Sequence, residues 1–173
     1  MTKPIINLKA VELHPPPPAF RPSGETAAKY EAKMGSISRI LGARLLGYNI
    51  TELPPGKSAY PFHNHRINEE MFLILEGTGE IRIGNESYPI EKHDIIACPP
   101  GGRESAHQII NTSRETSLQF LAVSTRHSPE IAEYPDSDKF GVLADFPDEE
   151  DANQRTFLYV SKKQNSLDYW EGE

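Results

Sequence analysis

Between residues 39 and 125 the chain is cut into short pieces by turn-forming clusters. They are Pro54-Pro55-Gly56, Gly77-Thr78-Gly79, Gly84-Asn85 and Pro99-Pro100-Gly101-Gly102. Glycine supplies positive φ and proline removes a backbone donor, so such clusters end regular structure. What lies between them is mostly too short for a stable helix. The apolar residues there alternate or run continuously, which predicts strands at 70–76, 80–83, 87–90, 95–98, 107–111 and 116–125. Residues 39–53 add a looser strand-like pattern, and Gly84-Asn85 is a hairpin signal. No stretch of this core reads as a helix. Many short strands in succession predict an all-β sandwich or small barrel.

The flanks differ in character. Residues 1–38 read as an N-terminal extension: Pro15 to Pro18 form a stiff, polyproline-like run, and 24–33 a short helix stopped at Gly35. Residues 126–173 read as an irregular C-terminal segment with one further strand at 156–160 and an acidic, aromatic end. Two core strands, 71–75 and 118–123, are apolar on both faces. A lone barrel would keep a polar outside, so an outer cover is expected from the extension, the tail or a second subunit. The expectation is a homodimer with the extension packed on the barrel.

Composition removes several function classes. A net charge of −7 over 173 residues without a basic patch argues against nucleic acid and anionic membrane as partners. The single cysteine, Cys98, excludes an internal disulfide and suits a reducing cytoplasm. No apolar run approaches the roughly 20 residues of a membrane span, and residues 1–11 lack the apolar core of a signal peptide.

Within this frame His63 and His65 stand out. Side chains two apart on a strand share a face. Glu70 and, much later, His107 can join them from other strands and close a pocket of three nitrogens and one oxygen around a divalent metal. That donor set suits zinc, iron, nickel, copper or manganese better than calcium. Glu70 lies five residues beyond His65, an odd step, so an unbroken strand would point it the wrong way. A turn or bulge is therefore expected at 66–69, with Asn68 at its corner. His107, Ile109 and Asn111 share a face. Asn111 is read as holding the loop after its strand, Cys98 as a buried structural thiol, His14, His93 and His127 as surface residues, and the acidic run 148–151 as a solvated loop.

These residues resemble the two sequence motifs of the cupin superfamily. Gly56, His63, His65, Glu70 and Gly77 match the first; Pro99, Pro100, Gly101, His107 and Asn111 match the second. There are departures. Six residues separate Gly56 from His63, His93 stands in place of the glycine that opens the second motif, and five residues separate Gly101 from His107. The resemblance covers about residues 40–125 and implies a double-stranded β-helix, or jelly roll; the changes of character along the chain set the domain limits at 1–38, 39–125 and 126–173. It implies His63, His65, Glu70 and His107 as ligands of one divalent transition metal per chain (zinc, iron, nickel or manganese). The segments LEGTGEIRIG, HQIINTS and DYWEGE are similar to a group of bacterial single-domain cupins sometimes labelled sugar-phosphate-isomerase-like.

Three histidines and a carboxylate leave one or two metal positions open, which a Lewis acid or an oxygen-activating centre needs. The expected function is therefore a small-molecule enzyme, an isomerase of sugar phosphates or related hydroxy-carbonyl compounds. The alternatives are an iron-dependent dioxygenase and a non-catalytic, metal-dependent binding protein for a small polar or anionic molecule. Tyr60, Glu104 and Gln119 are the candidate catalytic groups at the barrel mouth. Arg44, Lys57 and Arg103 are the candidates to hold a phosphate or carboxylate.

Overall fold

A computed structural model describes residues 4–146 and 156–173. Its strands in chain order are β1 (Lys33–Ser36), β2 (Leu46–Leu53), β3 (Asn64–His65), β4 (Glu70–Glu76), β5 (Thr78–Ile83) and β6 (Glu86–Glu91). They continue with β7 (Ile95–Cys98), β8 (His107–Ile110), β9 (Leu118–Thr125), β10 (Glu130–Tyr134), β11 (Lys139–Asp145) and β12 (Thr156–Ser161). Two short helices, α1 (Thr26–Lys29) and α2 (Ile37–Leu41), flank β1.

Three antiparallel sheets form the jelly roll. One has the order β1-β2-β9-β4-β7, the second β12-β11-β10-β3, the third β6-β5-β8. The second and third meet where His63 and His107 exchange backbone hydrogen bonds, His63 N donating to His107 O (3.2 Å) and His107 N to His63 O (2.7 Å). One candidate ligand is thus tied to another through the main chain.

Strand register lines up the inward face of the five-stranded sheet. Gly47, Ser124, Glu70 and Cys98 form one row; Asn49, Ala122, Phe72 and Ile96 form the next; Thr51, Phe120 and Ile74 form the third. Apart from Asn49 and Thr51, which hydrogen-bond to each other (2.7 Å), the deeper rows are apolar and join Leu53, Ile81 and Leu118 in the main core. Removing such a side chain costs ~2–5 kcal/mol, because the site cannot fully collapse around the hole. Gly77 takes the turn between β4 and β5 at φ +85°, and an added Cβ there would meet Ser117 O at 2.4 Å. Both conformation and space demand glycine.

The outer face of that sheet is covered by the N-terminal extension. Val11, Ile37 and Ile50 form a second buried cluster, with Leu13, Leu75 and Leu121 packed against it. The double-sided apolarity of β4 and β9 thus has its cover within the chain. Lys57 Nζ reinforces the attachment by donating to the Ala28 (2.8 Å) and Ala27 carbonyls at the end of α1.

The structure departs from the sequence reading at several places. Residues 33–36, read as the end of a short helix and its stop, form β1 at the edge of the five-stranded sheet, and Thr78-Gly79, read as part of a turn, open β5. Residues 37–41, at the edge of the looser strand-like stretch, form α2, ended by Gly42 at φ +72°. Residues 130–145, read as irregular, form the hairpin β10–β11. The strand at 156–160 is present as β12. The acidic run 148–151 lies outside the described residues. Among the described residues no helix is long and apolar enough to cross a membrane.

Candidate metal centre

The four predicted ligands converge at the barrel mouth. β3 contributes His65, and β4 opens with Glu70. The break required by parity is present at 66–69, where the chain bends, and Asn68 is buried at the corner. Asn68 Oδ1 accepts from His127 N (2.7 Å) and Thr125 Oγ1 (2.8 Å), and its Nδ2 donates to His127 O (2.9 Å). The side chain thereby ties the corner to the end of β9.

Glu70 Oε2 is the hub. It lies 3.0 Å from His107 Nε2, 3.4 Å from His65 Nε2 and 3.9 Å from His63 Nε2. Donor atoms bound to one metal at about 2.1 Å sit roughly 3–4 Å apart, so the spacing fits a transition metal. The donor atoms of His63, Glu70 and His107 all lie within 4.8 Å of one another. His65 stands outside that trio, and its ring is 6.3 Å from His107, against 4.8 Å between His63 and His107.

Two of the four groups, His63 and Glu70, are held in the protonation state a metal ligand needs. Burial, with help from the neighbouring His107, pulls the His63 pKa down to about 4, leaving a neutral imidazole. Burial alone would raise Glu70, but hydrogen bonds from His107 and His65 outweigh it and hold the carboxyl well below its usual range. His65 goes the other way: burial would lower it, yet the Glu70 and Glu130 carboxylates raise it.

Two of the imidazoles are oriented by backbone carbonyls two residues earlier. His63 Nδ1 bonds Pro61 O (2.8 Å), and His107 Nδ1 bonds Ser105 O (3.2 Å). With the proton on Nδ1, each bond would leave Nε2 available to a metal. His65 Nδ1 is buried without a partner.

Two cavities share this centre. The inner one, about 200 Å³, is walled by Phe72, Ile109, Phe120 and Ala122, with Tyr60 and Asn49 as polar groups beside the ligands. The outer one, about 240 Å³, shares His65 and Glu70 and adds Ser124, Arg126 and His127 at the rim. Among the described residues Arg126 is the one Lys or Arg that lines either cavity. It faces Asp145 at 3.6 Å, with both side chains about half exposed.

The family model of the cupin domain matches residues 49–124. An uncharacterized protein of Methanocaldococcus jannaschii is 34% identical over 91 residues, covering 47% of this chain and 67% of that protein. This chain belongs to the cupin superfamily. A cupin-superfamily sugar phosphate isomerase from Silicibacter pomeroyi superposes with a TM-score of 0.77 at 23% identity, covering 96% of this chain and 98% of that one. The polyketide cyclase RemF of Streptomyces resistomycificus superposes with a TM-score of 0.55 at 18% identity, covering 75% and 84%. The shared element is the fold; the named activities differ.

The remaining candidates of this cupin fall in different places. Tyr60 lines the inner cavity, its hydroxyl donating to Met34 Sδ (2.6 Å) and its ring standing edge-on to His63. Burial pushes its pKa further up, so it stays a phenol. Gln119 pairs with Glu52 and Glu76, and strand alternation turns it to the outer face, away from Phe120 and both cavities. Glu104 folds back onto Gly102 N (2.8 Å) and lines neither cavity. Lys57 is engaged with α1, Arg44 is exposed outside both cavities, and Arg103 borders a separate surface pocket with Arg66 and Lys139. His14, His93 and His127 are surface residues and Cys98 is buried, as expected. Asn111 Nδ2 donates to the Leu53, Pro54 and Thr116 carbonyls and touches neither cavity.

Sequence reasoning passed over Glu130. Its buried carboxylate accepts from Arg66 N (3.1 Å), Ile67 N (3.3 Å), Ile131 N (2.8 Å), Asn68 N (2.8 Å) and Asn68 Nδ2. The available signal was parity: Glu130, Ala132 and Tyr134 alternate inward on β10, and a charge in such a row is unusual.

Proposed function

We propose that this cupin holds one divalent transition metal through His63, His65, Glu70 and His107 and isomerises a small hydroxy-carbonyl compound with an anionic end. The observation that carries the reading is the donor cluster around Glu70 Oε2, with one imidazole kept neutral and the carboxylate kept ionised. A metal bound there supplies a Lewis acid for a carbonyl or enediolate oxygen. Phe72 and Phe120 exclude water from the inner cavity. Tyr60, a phenol at neutral pH, offers a hydrogen bond to a substrate oxygen and does not serve as the base. Arg126 at the rim pairs with the substrate's anionic group in exchange for Asp145. Proton movement then falls to His127 or to water at the mouth.

The apolar walls favour a second reading, an iron-dependent dioxygenase, since an apolar chamber suits dioxygen. One set of measurements separates the two. Metal analysis of the purified protein is expected to give about one ion per chain. Metal-loaded protein in D2O is expected to exchange the carbon-bound proton next to the carbonyl of a phosphorylated hydroxy-aldehyde or ketone. Oxygen uptake with iron and no exchange selects the dioxygenase. Failure to bind zinc, iron, manganese or nickel removes both.

The oligomeric proposal is a homodimer. Phe157, Leu158, Tyr159 and Val160 of β12 are all about half exposed, an apolar edge strand that a second copy would cover. Light scattering on the full chain is expected to return twice the 19.4 kDa chain mass; a monomer at micromolar concentration would refute it.

A further inference from the structure

We propose that Glu130 is the positioning residue for His65: its carboxylate accepts a hydrogen bond from His65 Nδ1 and turns Nε2 toward the other three donors. The inference rests on the metal-binding reading above and concerns which part of the chain completes that site.

It starts from an asymmetry. His63 and His107 each find an acceptor for Nδ1 two residues back along the chain, at Pro61 O and Ser105 O. For His65 the corresponding carbonyl is that of His63, and it already accepts His107 N at 2.7 Å. That carbonyl is turned to β8, and His65 makes no bond to it. Its Nδ1 is buried and has no partner. A buried polar group left that way costs free energy until an acceptor reaches it. Glu130 Oε2 stands 3.8 Å away. A shift of about 1 Å makes that contact a hydrogen bond.

Glu130 is built to be such an acceptor. Four backbone N–H groups, from Arg66, Ile67, Asn68 and Ile131, converge on its two oxygens. They fix the carboxylate in position. Asn68 Nδ2 also crowds Oε2, but it has the His127 carbonyl at 2.9 Å as a second acceptor. A shift of the carboxylate toward His65 leaves that amide bonded. Three of the backbone donors belong to the bend between His65 and Glu70, so Glu130 fixes both the shape of the bend and the ring that precedes it. His65 is also the ligand standing outside the tight trio, and it has most to gain from orientation. A carboxylate behind a ligating imidazole raises its basicity and fixes its tautomer.

The test is a double-mutant cycle read by zinc affinity, with a competing chelator, on the full chain: wild type, Glu130→Gln, His65→Ala and the double variant. Glu130→Gln is expected to weaken zinc binding 10- to 100-fold in the wild-type background and less than about 3-fold once His65 is gone. Equal losses in both backgrounds would mean that Glu130 only shapes the bend, and overturn the proposal; so would no loss in a wild type that binds zinc tightly. A wild type that binds no zinc would bring down the metal reading itself and this inference with it. Should Glu130→Gln fail to fold, imidazole nitrogen NMR of zinc-loaded wild type decides. His65 is expected to carry its proton on Nδ1, slow to exchange and shifted downfield. A proton-free Nδ1, or one exchanging as in a solvated imidazole, would refute it. His63 and His107, bonded to carbonyls, serve as internal references.

Discussion

His63 and His107 on one side, and His65 on the other, are the same kind of residue built into the site in two ways. The first pair is locked by reciprocal backbone bonds, and each ring is aimed by a carbonyl two residues earlier. His65 has no local anchor, sits in a two-residue strand and looks toward a carboxylate 65 positions further along the chain. Near-neighbour geometry orients two of the proposed ligands, and the third depends on tertiary structure for its surroundings.

The sharpest way to break this contrast is to remove one of the anchored rings. His63→Ala or His107→Ala is expected to abolish the metal-induced rise in melting temperature, which for a site saturated a thousandfold above Kd corresponds to about 4 kcal/mol. A full rise in either variant would end the ligand assignment. Next in size is acid sensitivity of the metal-free protein. His63 is held down to about 4, against 6.5 when unfolded. Only the unfolded chain protonates it between those values, so its contribution is present above pH 6.5 and lost as pH falls to about 4, on the order of 3 kcal/mol. His65, raised in the fold, acts in reverse: its contribution is full below about pH 6.5 and fades as pH rises through its folded value. Urea unfolding from pH 7.5 to 4 should therefore show a shallower loss for His63→Gln and a steeper one for His65→Gln; matching slopes would contradict the distinction.

His65→Ala is expected to weaken zinc binding only 10- to 100-fold, about 1.4–2.7 kcal/mol, and to release fewer protons on binding, because the carboxylates beside His65 favour its protonated form, whose proton a metal must displace. Calorimetry in buffers of different ionisation enthalpy counts those protons; an unchanged count would reassign them. The smallest effect is expected from Arg126→Ala. Its half-exposed, 3.6 Å pair with Asp145 contributes less than about 0.5 kcal/mol, so stability and zinc affinity should hold while affinity for an anionic ligand falls. A loss of zinc affinity would place Arg126 in the metal site instead.

Legibility in the sequence followed the same division. Strands β4 and β7 coincide with the predicted 70–76 and 95–98, because apolar runs bounded by turn residues leave little choice. Parity alone required the bend between His65 and Glu70, and it is there. The hairpin β10–β11 escaped because Glu130, Glu133, Lys139 and Asp145 interrupt its apolar pattern, and their reasons lie elsewhere in the fold. Glu130 serves the bend at 66–68, and Glu133 meets Arg66 at 2.7 Å and Asn64 Nδ2 at 3.1 Å. Gln119 was a misplaced candidate for a simpler reason: it alternates with Phe120, and that parity was readable. What no local pattern encodes is which carboxylate will lie behind which imidazole.

The pairing of β3 with β10 has a consequence for how this protein is made. The strand bearing His65 takes its sheet neighbour from residues 132–133, beyond the end of the cupin-domain match at 124. Emerging from a ribosome, the chain presents all four donor residues long before Glu130 and its hairpin follow. A nascent or truncated chain ending near residue 126 therefore has every ligand and an unsupported third imidazole. If the proposed site and the Glu130 role hold, tight metal loading waits for residues 130–133 to dock.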